Sequence, residues 1–151
     1  MSVNPELVGR DFPPTSPYLV GREKVREFAR AVFADAPLHT DVEAARALGY
    51  ADVVAPPTFA MVVQDHTLQQ LLSEPDSGIV LARTIHAEQR FSYTRPIVAG
   101  DELTGQLQVT GIRSMGGNAM ITSEAAITDA AGEHVVTATS VLLVGSEEKS
   151  D

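Results

Sequence analysis

Asp35 and His39 are the residues whose types and spacing point to chemistry. They stand four apart in a polar turn, Phe33-Ala-Asp-Ala-Pro-Leu-His-Thr-Asp, and an apolar helix follows from Pro56-Pro57 through Phe59-Ala-Met-Val-Val. A polar cluster that leads into a buried helix places a base beside an apolar tunnel. The other histidines have plainer readings. His66 falls mid-helix near an apolar face and is expected to pack or to meet a partner chain. His86 and His134 fall on strand-like segments with no partner at ligand spacing, so no metal site is expected. Gly116-Gly117-Asn118 reads as a hairpin turn rather than a phosphate cradle, because no helix follows it.

The elements that must position these residues are legible as patterns. Pro5, Pro13, Pro14 and Pro17 make residues 1–17 an extended lead-in, and Tyr18-Leu19-Val20 adds a short strand. From Gly21 the spacing of Val25, Phe28, Ala29, Val32 and Phe33 predicts a helix whose other face is charged and solvated. Pro37 ends it. Thr40-Asp41-Val42-Glu43 spells a capping box for a short helix that runs to Leu48, where Gly49 supplies a left-handed cap. Pro56-Pro57 opens the next helix, which is apolar all round at first and gives way to a turn over 73–78.

After Gly78 the period changes to two. Ile85, Ala87, Gln89, Phe91 and Tyr93 alternate with polar neighbours, as do Leu103, Leu107 and Val109, then Ala119, Ile121, Ala125 and Ile127; residues 133–144 are rich in Val and Thr. Short links at 95–101, 115–118 and 129–132 predict antiparallel pairs. The expected class is α+β, an antiparallel sheet around one long central helix, in a single domain over 1–145 with a disordered tail at 146–151. Such a sheet leaves an edge and part of the helix to be covered by a second chain.

Composition bounds the function. A net charge of −9 and a pI near 4.8 leave no basic surface for nucleic acid. Cysteine is absent, which excludes disulfides and thiolate zinc sites. No run approaches the ~18 apolar residues that span a bilayer, and the start lacks a signal pattern. A cytoplasmic protein with no membrane or nucleic-acid partner is expected.

Four stretches together resemble the MaoC-like hydratases and dehydratases of the hot-dog fold: Gly21-Arg-Glu-Lys-Val-Arg-Glu-Phe-Ala, Glu43-Ala-Ala-Arg-Ala-Leu-Gly-Tyr, Ala55-Pro-Pro-Thr-Phe, and Phe91 through Arg95-Pro-Ile-Val-Ala-Gly-Asp. The likeness covers roughly residues 5–145 and is closest to the actinobacterial branch containing (3R)-hydroxyacyl-ACP dehydratase subunits. It implies a lyase of fatty acid metabolism that adds or removes water across the C2–C3 bond of acyl-ACP or acyl-CoA, without a cofactor. It also implies a homodimer, or a heterodimer with a catalytic hot-dog relative.

The family's site reads Gly-Asp-x-Asn-Pro-x-His, an acid–base pair, with a helix-start N–H in Ala-His-Gly polarising the thioester carbonyl. Pro37 and His39 match. Phe33 takes the glycine position, Ala34 the aspartate position and Ala36 the asparagine position, while Asp35 lies one residue late. Ala55-Pro56-Pro57 replaces Ala-His-Gly, and proline has no N–H to give. The resemblance therefore makes His39 and the shifted Asp35 the catalytic candidates. Thr58, whose own N–H remains, joins Phe59, Met61, Val62 and Phe91 as substrate-binding candidates between sheet and helix. An acyl-holding subunit of a dimeric enzyme is the favoured reading. A non-catalytic acyl-thioester binder and a hot-dog thioesterase or cyclase are the alternatives, with Gln64 and Asp65 as the polar residues a thioesterase would need on the helix. Carrier docking would need a local basic patch such as Arg83, Arg90 and Arg95.

Overall fold

A computed structural model describes residues 2–146. In chain order they form β1 (Tyr18–Leu19), α1 (Arg22–Ala31), α2 (Val42–Ala47), α3 (Ala60–Ser73), β2 (Thr84–Tyr93), β3 (Glu102–Met115), β4 (Asn118–Thr128) and β5 (His134–Val144). The five strands make one antiparallel sheet in the order β1-β3-β4-β5-β2. It curls around α3, which is the hot-dog arrangement. No helix is long and apolar enough to cross a membrane among the described residues.

The core lies along α3 in two parts. Phe59, Ala60 and Val63 at its start pack with Leu103, Ile127 and Val136, and Leu71 at its end packs with Leu107, Ile121 and Leu142. Alternation in β3, β4 and β5 delivers these side chains to the inner face. One inner position must stay small. A Cβ on Gly105 would sit 2.7 Å from Thr67 Cγ2, and Thr67 cannot easily turn away, because its Oγ1 donates to Gln64 O at 2.6 Å. Gly105→Ala is expected to lower stability by about 1–3 kcal/mol through overpacking, measured as a fall in urea midpoint. An unchanged midpoint would mean that α3 can shift away from β3.

Several expectations are corrected. The link at 95–101 does not join neighbouring strands: β2 pairs with β5 instead of β3. The reason is that residues 97–99 bond to 53–55, with Ala55 N–H donating to Ile97 O at 2.8 Å and Ala99 N–H to Val53 O at 3.0 Å. The link is thereby carried across the start of α3. The N-cap of α2 is Asp41, not Thr40; its carboxylate accepts from the Glu43 and Ala44 N–H groups, and Glu43 pairs with Arg46. Helix α1 stops at Ala31, leaving Val32 and Phe33 exposed rather than on the apolar stripe. A register shift between His86 and Glu88 turns Ile85 outward, so only Gln89, Phe91 and Tyr93 keep the expected phase.

The lead-in does more than extend. Leu7 and Phe12 are buried, and residues 8–15 cover the β3 edge through Val8 beside Val109 and Thr15 beside Gly105. Ser146 N–H donates to Asn118 Oδ1 at 3.0 Å. The rest of the tail expected at 146–151 lies outside the described residues.

Candidate active site

Pro37 sets the turn that carries His39. Residues Pro37–His39 form one 3₁₀ turn, closed when Thr40 and Asp41 both donate to Pro37 O. The turn is then clamped to the strand-like segment before α3: Val54 N–H donates to Leu38 O at 2.9 Å, and His39 Nδ1 lies 2.6 Å from Val54 O. A carbonyl only accepts, so Nδ1 carries a proton, and in the neutral ring Nε2 is the acceptor.

His39 borders a cavity of about 420 Å³ shared with Leu38, Val54, Pro57, Tyr93 and Pro96, a volume suited to a small-molecule group. Thr94 and Arg95 also reach it, but both are engaged elsewhere. Thr94 Oγ1 pairs with His134 Nδ1 at 2.6 Å. Arg95 donates to Asp101 at 2.9 and 3.1 Å and to Asp129 at 3.2 Å, which raises its pKa. Asp129 is in turn held below the usual carboxylate range, first by the Glu133 N–H and then by Arg95.

Tyr93 is the site residue that the sequence reading missed. Its hydroxyl donates to Pro57 O at the start of α3, and its ring lies 6.4 Å from Phe91. Burial pushes the phenol up to about 12, opposed by the Ala60 N–H. A pKa raised in the folded state means that the protonated phenol stabilises fully below about pH 10, and that this contribution is lost as pH rises from about 10 to about 12. Tyr93→Phe is expected to flatten that alkaline slope in thermal melts, and an identical slope would show that Tyr93 does not cause it. The available signal was an aromatic residue ending β2 immediately before Thr94-Arg95-Pro96; the sequence pattern assigned it only an inward face.

The other candidates are placed as follows. Asp35 is exposed and does not line the cavity with His39. Ala34, half-buried, is fixed by its N–H to Ala29 O at 2.8 Å. Thr58 is exposed in the first helical turn, where N–H groups have no intrahelical acceptor. Phe59 is 0% exposed and meets Phe28 edge-on at 5.3 Å, so it is core. Met61, Val62 and Phe91 are half-buried and lie outside the cavity lining, Phe91 touching it through Tyr93.

Gln64 is buried and used at both ends. Its Nε2 donates to Ala138 O at 3.3 Å and its Oε1 accepts from Gln89 Nε2 at 2.6 Å. Asp65 and His66 are exposed, and His66 meets the Tyr18 ring at 5.8 Å. His86 bonds Gln89, and no group of three or more acidic, His or Cys side chains suited to a metal occurs among the described residues.

The chain is similar to known proteins in sequence and fold. Residues 6–138 match the family described as FAS1-like, dehydratase domain region. A UPF0336 protein of Leifsonia xyli subsp. xyli is 60% identical over 146 residues, covering 97% of this chain and 98% of that one. The crystal structure of the C-terminally truncated HadBC (3R-hydroxyacyl-ACP dehydratase) complex from Mycobacterium tuberculosis matches with a TM-score of 0.78 at 33% identity. That match covers 88% of this chain and 92% of that one. The MaoC-like dehydratase from Rhodospirillum rubrum matches with a TM-score of 0.70 at 26% identity, over 93% of each chain. Fold and sequence agree: the chain belongs to the FAS1-like dehydratase-region family, a MaoC-like group of the hot-dog fold.

Proposed function

We propose that this chain is the acyl-holding subunit of a dimeric (R)-specific hydro-lyase acting on acyl thioesters, a (3R)-hydroxyacyl-ACP dehydratase or enoyl-CoA hydratase. The observation that carries the reading is the cavity at the start of α3, which His39 borders and which has no carboxylate in its lining among the described residues. Dehydration takes a proton from C2 and gives one to the departing hydroxyl on C3, so it needs a base and an acid in position. His39 can serve one proton. The position that supplies the partner in the family holds Ala34, and Pro57 has no N–H to give where the family has its donor, leaving the Thr58 N–H at the helix start. What remains is an apolar cavity suited to holding an acyl chain.

The sheet supports the dimer. Among the described residues β2 pairs on one side only, with β5, and Leu81 just before it and Ile85 within it are exposed. An unpaired edge bearing bare apolar side chains is covered by a second hot-dog chain. Sedimentation at micromolar concentration is expected to show a dimer, and a monomer alone would remove the subunit reading.

The activity test is hydration of crotonyl thioesters by the chain alone and mixed with a relative that keeps the intact Asp-x-Asn-Pro-x-His stretch. Turnover well below ~1 per second alone, rising on mixing, supports the proposal. The free Nε2 and the Thr58 N–H favour a second reading, a self-sufficient hydratase. Ordinary turnover by the chain alone, reduced at least ~10²-fold by His39→Ala, would establish it. A thioesterase is disfavoured because Gln64 has both amide ends bonded within the chain.

A further inference from the structure

Phe33 strains the isolated chain and gains nothing from its folding. Its backbone is left-handed, with φ of 58°, where the Cβ of an L-residue crowds the neighbouring carbonyl. Its ring is 91% exposed, so burial returns nothing. Glycine would relieve the first effect and a polar residue the second. Strain and exposure combined in one large aromatic side chain point to a contact made outside the chain.

The surroundings define the partner. Phe33 N–H donates to Arg30 O at 3.3 Å, closing the end of α1. Residues 22–31 hold Arg22, Lys24, Arg26 and Arg30 against Glu23 and Glu27, in a chain with a net charge of −9. Arg22 is bonded to Asp52, and Arg26 to Glu23 and the Thr40 carbonyl. Arg30 is exposed, and no ion pair to it is present among the described residues. It follows Arg26 by four positions, so both project from one helix face. Arg26 reaches Thr40, the residue after His39. The Arg30–Phe33 patch therefore adjoins the turn that carries the cavity's histidine.

We propose that Arg30 and Phe33 form the docking surface for an acidic carrier protein that presents the acyl thioester to the His39 cavity. The inference rests on the acyl-thioester reading above. Phe33 supplies the apolar anchor and Arg30 meets a carboxylate. A net charge of −9 repels an acidic protein from most of the remaining surface, which favours docking where an exposed arginine stands beside an apolar anchor. Asp35, exposed two residues on, is the one carboxylate on the turn that works against the contact.

The test titrates the full chain with crotonyl-loaded acyl carrier protein and, separately, with crotonyl-CoA. Phe33→Gly and Arg30→Glu are each expected to weaken carrier binding about tenfold or more, as loss of an interface anchor does, and to leave CoA binding unchanged. Phe33→Gly is also expected to raise the melting temperature by about 2–4 °C as the left-handed strain is relieved. Unchanged carrier binding, equal loss for both thioesters, or a lower melting temperature for Phe33→Gly would each overturn the docking assignment. Binding of crotonyl-CoA without binding of the carrier would overturn the docking surface alone. Binding of neither would overturn the acyl-thioester reading and the docking surface with it.

Discussion

Ala34→Asp combined with Pro57→Gly is expected to hydrate crotonyl thioesters at least ~10²-fold faster than either single variant. The two changes act on different parts of the transition state. The new carboxylate gives His39 a partner for the second proton, while the carbonyl stays unpolarised. The new N–H at position 57 lies in the first helical turn, where it has no intrahelical acceptor, and one such donor is worth about 2.7–4 kcal/mol. Neither does much alone, because the groups work as a unit.

The local structure should accept both changes. Residue 34 is held by its own backbone N–H, and the bond from Tyr93 goes to the carbonyl of residue 57, which glycine keeps. Loss of the proline loosens the unfolded chain and costs about 0.4–1 kcal/mol, so thermal melts come first. His39→Ala placed on the double variant should abolish the gain. Additive gains, or ordinary activity before any change, would overturn this account, and Asp35 and the Thr58 N–H would become the groups to test.

Phe59→Ala is expected to destabilise the chain by about 3–5 kcal/mol, the range for deleting a fully buried aromatic ring. At this size that corresponds to a fall of roughly 6–20 °C in melting temperature. The ring is packed against Phe28, Tyr18 and the inner face of the sheet, so its removal leaves a void that the curled sheet cannot close. A loss below about 1 kcal/mol would mean that the ring borders open space, as a tunnel wall would.

The sequence carried the parts of the fold that rest on local periodicity. Leu103, Leu107 and Val109 face inward as alternation requires, and Gly49 takes the left-handed cap at φ of 93°. What it did not carry was set by distant partners. Nothing near residue 97 announces that its carbonyl receives the Ala55 N–H, and that bond decides that β2 leaves β3. Thr40 and Asp41 are both good caps, and the choice between them depends on how Pro37 closes the preceding turn. At the site, His39 was legible from its type and from the proline two residues before it. Its Nδ1 partner, Val54, offers only a backbone carbonyl, which no side-chain pattern encodes. Tyr93 escaped for a similar reason, since its acceptor is the Pro57 carbonyl.

The pairing of β2 with β5 also orders events in time. Thr84 faces Val144 and Tyr93 faces Val136, so the second strand of the chain finds its neighbour only in the last. Closing so long a loop is slow compared with forming the β3–β4 and β4–β5 hairpins. During synthesis β2 emerges early and waits, unpaired, until β5 has left the ribosome. The edge that would receive another subunit is therefore completed late, and a partner can add to it only after β5 has been made.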